Sequence, residues 1–216
     1  MIVNTQQMVS PDSYAVSLLG ELFKDVAVIA GGCIVSIVNN IPINDIDIFL
    51  TKPVDFHKDI LSRLSPYISN FEPKDIADKY CVYYDVNIPS YTDGLNQYKI
   101  NIIQNGHMSV RQVIDDFDFV NVQVYYNPHR KQFSGELHLA RLGQPLIVSN
   151  IKHPVKLIER ISKYINKGFI FDATAKGIVA QKLNQWYSEN GDNDDYTDTD
   201  YIDKPRSRRR TNIFAR

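Results

Sequence analysis

The sequence predicts one α/β domain: a mixed β-sheet flanked by helices, with a small helical extension towards the C-terminal end. Three observations predict it. Apolar runs of strand length are interleaved with amphipathic stretches of helix length. The first two strands are joined through a short helix, which fits a mixed α/β sheet. At 216 residues and 44% hydrophobic content, the chain can bury one sizeable core.

The elements follow from local punctuation. Ser10-Pro11-Asp12 places a capping residue before a proline at the first helical position, so a first helix runs to about Phe23. A strand is expected over 26–30, the Gly31-Gly32 turn follows it, and a short helix over 33–39 leads to a second strand over 45–51. A helix over 53–64 and strands over 81–88 and 97–104 come next. A short helix over 109–116 precedes a strand over 118–126, which ends at an Asn127-Pro128 turn. Helices over 154–167 and 173–187 complete the list, the first stopped by Gly168.

These boundaries suggest a main domain over 1–150, helices packed on it over 151–188, and a charged, flexible tail over 189–216. In the tail, Asp192, Asp194, Asp195, Asp198, Asp200 and Asp203 form an acidic block, followed by the basic Arg206, Arg208, Arg209 and Arg210. Neither block has enough apolar residues to fold alone. The tail reads as two mutually neutralising blocks or as an arm that orders on RNA.

Several function classes are disfavoured. A net charge of -1 gives no global attraction to nucleic acid, so any such binding must rest on local patches. Cys33 and Cys81 sit alone inside apolar elements and read as reduced core thiols. His57, His107, His129, His138 and His153 are scattered without zinc-ligand spacing, and no Walker A or Gly-x-Ser-x-Gly pattern occurs. The polar start, Met1 to Ser10, has no targeting pattern, and the longest apolar run, Val26–Val38, falls short of the ~20 residues that span a bilayer. The expectation is a cytoplasmic protein with no membrane partner.

The candidate chemistry lies between residues 28 and 51. Residues i and i+2 of a strand share a face, so Asp45 and Asp47 present two carboxylates side by side while Ile46, Ile48 and Leu50 pack elsewhere. Two hard oxygen ligands suit Mg²⁺, which takes a few carboxylates plus phosphate and water. Gly31 and Gly32 precede a helix, where backbone N–H groups attract phosphate and missing Cβ atoms allow close approach. Alone, Gly-Gly is ordinary turn chemistry and Asp-Ile-Asp an ordinary solvated strand start; in this order on adjoining elements they become specific.

This run resembles the signature of the polymerase-beta-like nucleotidyltransferase superfamily, in which a Gly-Gly or Gly-Ser turn and a helix precede a strand bearing Asp-x-Asp. The Gly31-Gly32 to Asp45-Ile46-Asp47-Ile48-Phe49 version is most similar to the branch of poly(A) polymerases and tRNA CCA-adding enzymes. Two further runs, Phe117-Asp118-Phe119 between strands and Arg160-Ile161-Ser162-Lys163-Tyr164-Ile165-Asn166-Lys167-Gly168-Phe169, resemble predicted viral and ankyrin-linked nucleotidyltransferases. Two departures stand beside the matches. Cys33-Ile34-Val35-Ser36 replaces the Arg-Asp pair that follows the glycines of CCA-adding enzymes, and Asp115-Asp116-Phe117-Asp118 replaces their Arg-Arg-Asp.

The resemblance implies transfer of a nucleoside monophosphate from a nucleoside triphosphate such as ATP to a hydroxyl, with Mg²⁺ or Mn²⁺ as cofactor. The acceptor it implies is an RNA 3′ end, such as that of a tRNA, or a protein side chain. A catalytically silent relative, kept to bind RNA or to assemble with a partner, is the other reading. Asp45, Asp47 and Asp118 are the expected catalytic and metal-binding carboxylates, with Asp116 and Asp85 as alternatives for the third. Gly31, Gly32, Arg160 and Lys163 are the expected nucleotide-binding residues. On the helix over 154–167, Ile158, Ile161 and Ile165 are expected to form the buried stripe. Lys156, Arg160, Lys163 and Lys167 form a basic one that either faces solvent or contacts phosphate.

Overall fold

In a computed structural model, which describes residues 10–68, 75–78, 81–89, 94–104, 106, 109–149, 151 and 154–190, Ser10 caps the first helix, α1 (Pro11–Phe23). Its hydroxyl oxygen accepts from Ser13 N at 3.1 Å, the ordinary way of satisfying a free donor in a first turn. β1 (Ala27–Ala30) is buried throughout, as a central strand covered on both faces must be. Gly31, at φ +84°, turns the chain into α2 (Gly32–Val38), and β2 (Ile46–Leu50) then returns antiparallel to β1.

The expected helix over 53–64 is a π-helical turn, Phe56–Leu61, running into the short α3 (Ser62–Leu64), with Asp55 accepting from Lys58 N at 3.0 Å at its start. β3 (Asp75–Asp78), β4 (Cys81–Pro89) and β5 (Leu95–Ile103) follow, then α4 (Val110–Asp115), β6 (Val124–Asn127) and β7 (Gln132–Gly135). Two helices, α5 (Pro154–Lys167) and α6 (Ala173–Asn190), complete the described chain.

The seven strands form one mixed sheet in the order β3-β4-β5-β2-β1-β6-β7. Among the described residues, only β2 and β5 pair as parallel strands, with Asp47 opposite Asn101. Alternation along β2 sorts its side chains between the two faces. Ile46, Ile48 and Leu50 join the main core with Ala15, Val16, Leu19 and Phe23 of α1, whereas Phe49 packs on the other face with Val28, Ala30 and Val113 of α4.

The strand expected over 118–126 is shorter. Phe119 makes an isolated bridge to Val148, Val120–Val122 is a 3₁₀ turn, and regular pairing begins only at Val124. Asn121 is the cause. Fully buried, its Nδ2 donates to Leu139 O (2.8 Å) and Pro145 O (3.0 Å), and its Oδ1 accepts from Ile147 N (2.8 Å). These bonds draw the backbone out of the sheet to satisfy a loop. Neither β3 nor β7 was expected.

The buried stripe of α5 also differs from expectation. Leu157, Ile161 and Tyr164 are the buried set, whereas Ile158 is 59% exposed and Ile165 42% exposed. Both i, i+3, i+7 and i, i+4, i+7 trace one helix face, and tertiary packing selects the second. Gly168, at φ +110°, closes α5 by donating its N–H to Ile165 O (2.9 Å) while Phe169 N donates to Tyr164 O (3.1 Å). These two bonds define a Schellman end. From residue 191 onwards the tail lies outside the described residues, as do His107 and His153. Among the described residues, no helix is long and apolar enough to cross a membrane.

Candidate active site

Asp45, Asp47 and Asn101 form the acidic half of the site. Asp45 immediately precedes β2 and Asp47 is its second residue, so the strand expected from 45 begins one residue later, and parallel pairing sets Asn101 of β5 directly beside Asp47. Asn101 Nδ2 donates to Asp47 Oδ1 at 2.6 Å and reaches Asp45 Oδ2 at 3.3 Å, so one amide bridges both carboxylates. Asn101 is 5% exposed, and its Oδ1 has no hydrogen-bond partner among the described residues. Burial first, and the Asp45 carboxylate second, raise the Asp47 carboxyl to about 6; the Asn101 bond, Lys163 and Arg160 pull it back down.

Asn101 was not anticipated. Its strand was legible, but the parallel register that sets it against Asp47 joins residues 54 apart in sequence.

The basic half comes from α5. Leu157, Ile161 and Tyr164 seat the helix on the core, Tyr164 meeting Phe119 and Phe169 edge to face at 5.6 and 5.9 Å. That seating turns Arg160, Lys163 and Lys167 towards the glycine turn and the carboxylates. Arg160 Nη1 donates to Asp118 Oδ2 in an ion pair, Asp118 being 3% exposed and Arg160 45% exposed. Lys163 lies near enough to Asp47 to favour its ionised form. Lys167 Nζ donates to Ser36 Oγ (3.0 Å) and to Gly32 O (3.4 Å), and burial together with Lys163 lowers its pKa. Lys167 belonged to the expected basic stripe but not to the expected site.

The glycine turn lies between these halves. A Cβ on Gly31 would meet Phe117 Cζ at 3.3 Å in addition to the strain of a positive φ. A Cβ on Gly32 would face Tyr164 Oη (3.7 Å) and Lys167 Nζ (3.9 Å), so the space beside it is lined by polar groups. Cys33, just beyond, is buried, and burial followed by Asp47 pushes its thiol up to about 12, which makes it inert.

Asp118, the expected third carboxylate, is buried against α5. Among the described residues, no three His, Cys, Asp or Glu side chains are grouped to hold a metal ion, and the Asp118 carboxylate is occupied by Arg160. Asp85 pairs in register with Lys99, on the far side of β5 from β2. Asp116 caps the end of α4.

A mixed sheet with a Gly-Gly turn and helix before an Asp-x-Asp strand is a nucleotidyltransferase-type fold, and solved structures agree. A CCA-adding enzyme in complex with ATP matches with a TM-score of 0.58 and 16% identity, over 86% of this chain and 46% of that one. The Thermotoga maritima CCA-adding enzyme complexed with tRNA matches with a TM-score of 0.53 and 16% identity, over 86% of this chain and 45% of that one. Identity this low makes the likeness one of fold, and the chain spans about half the length of these proteins. No curated protein matches the sequence. The family model described as "Gabija anti-defense 2 family protein" matches residues 5–142. The chain belongs to the Gabija anti-defense 2 family.

Proposed function

We propose that the protein transfers a nucleoside monophosphate from a nucleoside triphosphate to a hydroxyl acceptor, and that this reaction serves the anti-defence role its family name states. One observation carries the proposal: paired carboxylates, bridged by an amide on the adjoining strand, lie beside a glycine turn that faces a cationic helix. The donor set suits Mg²⁺ or Mn²⁺, because two carboxylates held side by side are hard oxygen ligands.

In this reading Asp45 and Asp47 hold the metal, which supplies charge to acidify the acceptor hydroxyl and to offset the departing pyrophosphate. Gly31 and Gly32 let the triphosphate approach the backbone, and Arg160, Lys163 and Lys167 bind its phosphate oxygens. Asp118 fixes the Arg160 guanidinium. The acceptor oxygen bonds to the α-phosphorus, the bridging α–β oxygen–phosphorus bond breaks, pyrophosphate leaves, and the hydroxyl proton is released. The main domain over 1–150 supplies the carboxylates and glycines, and the helices over 151–188 supply the cations. The acceptor is an RNA 3′ end or a protein side chain met in the cytoplasm. A second reading is a silent relative that binds RNA, favoured by the lack of a three-carboxylate group among the described residues.

The test is incubation of the full chain with each α-labelled nucleoside triphosphate, Mg²⁺ or Mn²⁺, and either total RNA or a lysate containing the defence system. The control is an Asp45→Ala, Asp47→Ala variant. Metal-dependent labelling that falls roughly 10³-fold in the variant supports the proposal, since metal-borne charge is worth several kcal/mol. Labelling that needs no metal, or that the variant matches, overturns it. Labelled RNA indicates terminal addition, labelled protein a protein-modifying transferase. RNA binding that survives loss of both aspartates, without any labelling, supports the silent reading.

A further inference from the structure

Asn101 is buried, and only one end of its amide is used. Nδ2 spans the two carboxylates at 2.6 and 3.3 Å, while Oδ1 has no partner among the described residues. A buried amide oxygen left unbonded is unfavourable, so its persistence at a candidate reaction centre points to a ligand. The side chain is also isosteric with aspartate, and its register partner is Asp47. It therefore occupies the place a third carboxylate would take from the neighbouring strand.

We propose that Asn101 is both a placeholder and a ligand for the divalent cation. Without the cation, its N–H group lies between Asp45 and Asp47 and offsets their mutual repulsion, since a reversed amide would set carbonyl oxygen against carboxylate oxygen at 2.6 Å. When the cation enters, the amide rotates about its terminal torsion and presents Oδ1 as a third protein oxygen. This rests on the reading that Asp45 and Asp47 hold the metal.

A consequence separates this site from one built of three carboxylates. Two carboxylates and a neutral oxygen carry one negative charge fewer, so the protein alone holds the cation weakly. Triphosphate oxygens must complete the shell, and cation and nucleotide arrive together. Asn101 thereby makes metal occupancy conditional on nucleotide.

The test is direct titration of the full chain with Mn²⁺, followed by electron paramagnetic resonance, with and without a non-hydrolysable nucleoside triphosphate analogue. Melting temperatures are recorded alongside to establish that each variant is folded. Asn101→Asp should bind Mn²⁺ at least tenfold more tightly than the wild type when no nucleotide is present. Its metal-free form should melt lower at neutral pH, and Mn²⁺ should restore it. Asn101→Leu keeps the residue buried without an oxygen, and should bind Mn²⁺ at least tenfold more weakly than the wild type in the presence of the analogue.

A folded Asn101→Asp that binds no more tightly than the wild type overturns the ligand role, as does a folded Asn101→Leu with wild-type binding. The transfer reading fails separately. Tighter Mn²⁺ binding by Asn101→Asp, with no monophosphate transfer by the wild type, sustains the ligand role and removes the enzyme. Metal-dependent transfer with no effect of either Asn101 variant on Mn²⁺ binding does the reverse.

Discussion

The acidic and basic halves of the site are held in different ways. Asp47 and Asn101 project from two central strands whose backbones are fixed by the sheet ladder, and Asp45 stands immediately before the first of them, so their spacing is set by register. Arg160, Lys163 and Lys167 project from one helix seated on the core through Leu157, Ile161 and Tyr164. A sheet fixes its side chains through many backbone hydrogen bonds, a surface helix through a few side chains. The acidic half should therefore be rigid and tolerant of changes elsewhere, and the basic half sensitive to the packing beneath α5.

Damage to that seating should split the halves most. Leu157 is fully buried, so Leu157→Ala should destabilise the protein by about 2–5 kcal/mol, read by denaturant melts. It should weaken triphosphate binding while leaving Mn²⁺ binding at Asp45 and Asp47, measured without nucleotide, within a few-fold of wild type. Equal loss of both would show that the halves are not independently held.

Arg160→Ala leaves the buried Asp118 carboxylate without its cation and should lower stability by about 1–3 kcal/mol, a range reduced because Arg160 is itself 45% exposed. Arg160→Lys should recover only part of this, since an ammonium does not reproduce the guanidinium fork.

Asp47→Asn probes the acidic half. The folded state raises this carboxyl from 3.8 to about 6, so it binds the proton more tightly than the unfolded chain does. The group's stabilising contribution is full below about pH 3.8 and is lost as pH rises through about 6. The metal-free protein thus carries an unfavourable charge at neutral pH, on the order of 1–2 kcal/mol after allowance for its partial exposure. Asp47→Asn should raise the melting temperature of the metal-free protein at pH 7.5, have no such effect near pH 3.5, and lower Mn²⁺ affinity. A stability gain equal at both pH values would mean that charge burial is not its cause.

The smallest expected effect is at Ile158, 59% exposed on the same helix as Leu157. Ile158→Ala should shift stability by less than about 0.5 kcal/mol.

What could be read from the sequence divides along similar lines. Ser10-Pro11 fixed the start of α1, and Pro154 and Gly168 bracketed α5, because caps and stops act through neighbouring residues. The separation of Ile46, Ile48 and Leu50 from Asp45 and Asp47 was also legible, since strand alternation is local. Asn101 was not, because its role depends on a pairing between distant strands. The break at Val120–Val122 was hidden for the same reason: Asn121 bonds to residues 18 to 26 positions away. The stripe of α5 misled differently, since Tyr164 hides an apolar ring behind a polar tip while the exposed Ile158 and Ile165 look like core. β3 and β7, four residues each, are too short to show a period.

The parallel pairing of β2 with β5 bears on how the protein is assembled. Antiparallel neighbours can zip together through a hairpin, but β2 and β5 meet only after the intervening chain has crossed over and returned. Contacts of such long sequence separation form slowly, because loop closure must precede them. A peptide covering residues 28–51 holds both glycines and both aspartates, yet has nothing to bridge the carboxylates. On the ribosome the same holds for a nascent chain that has not yet reached β5, so the bridged carboxylate pair forms only after β5 has been made.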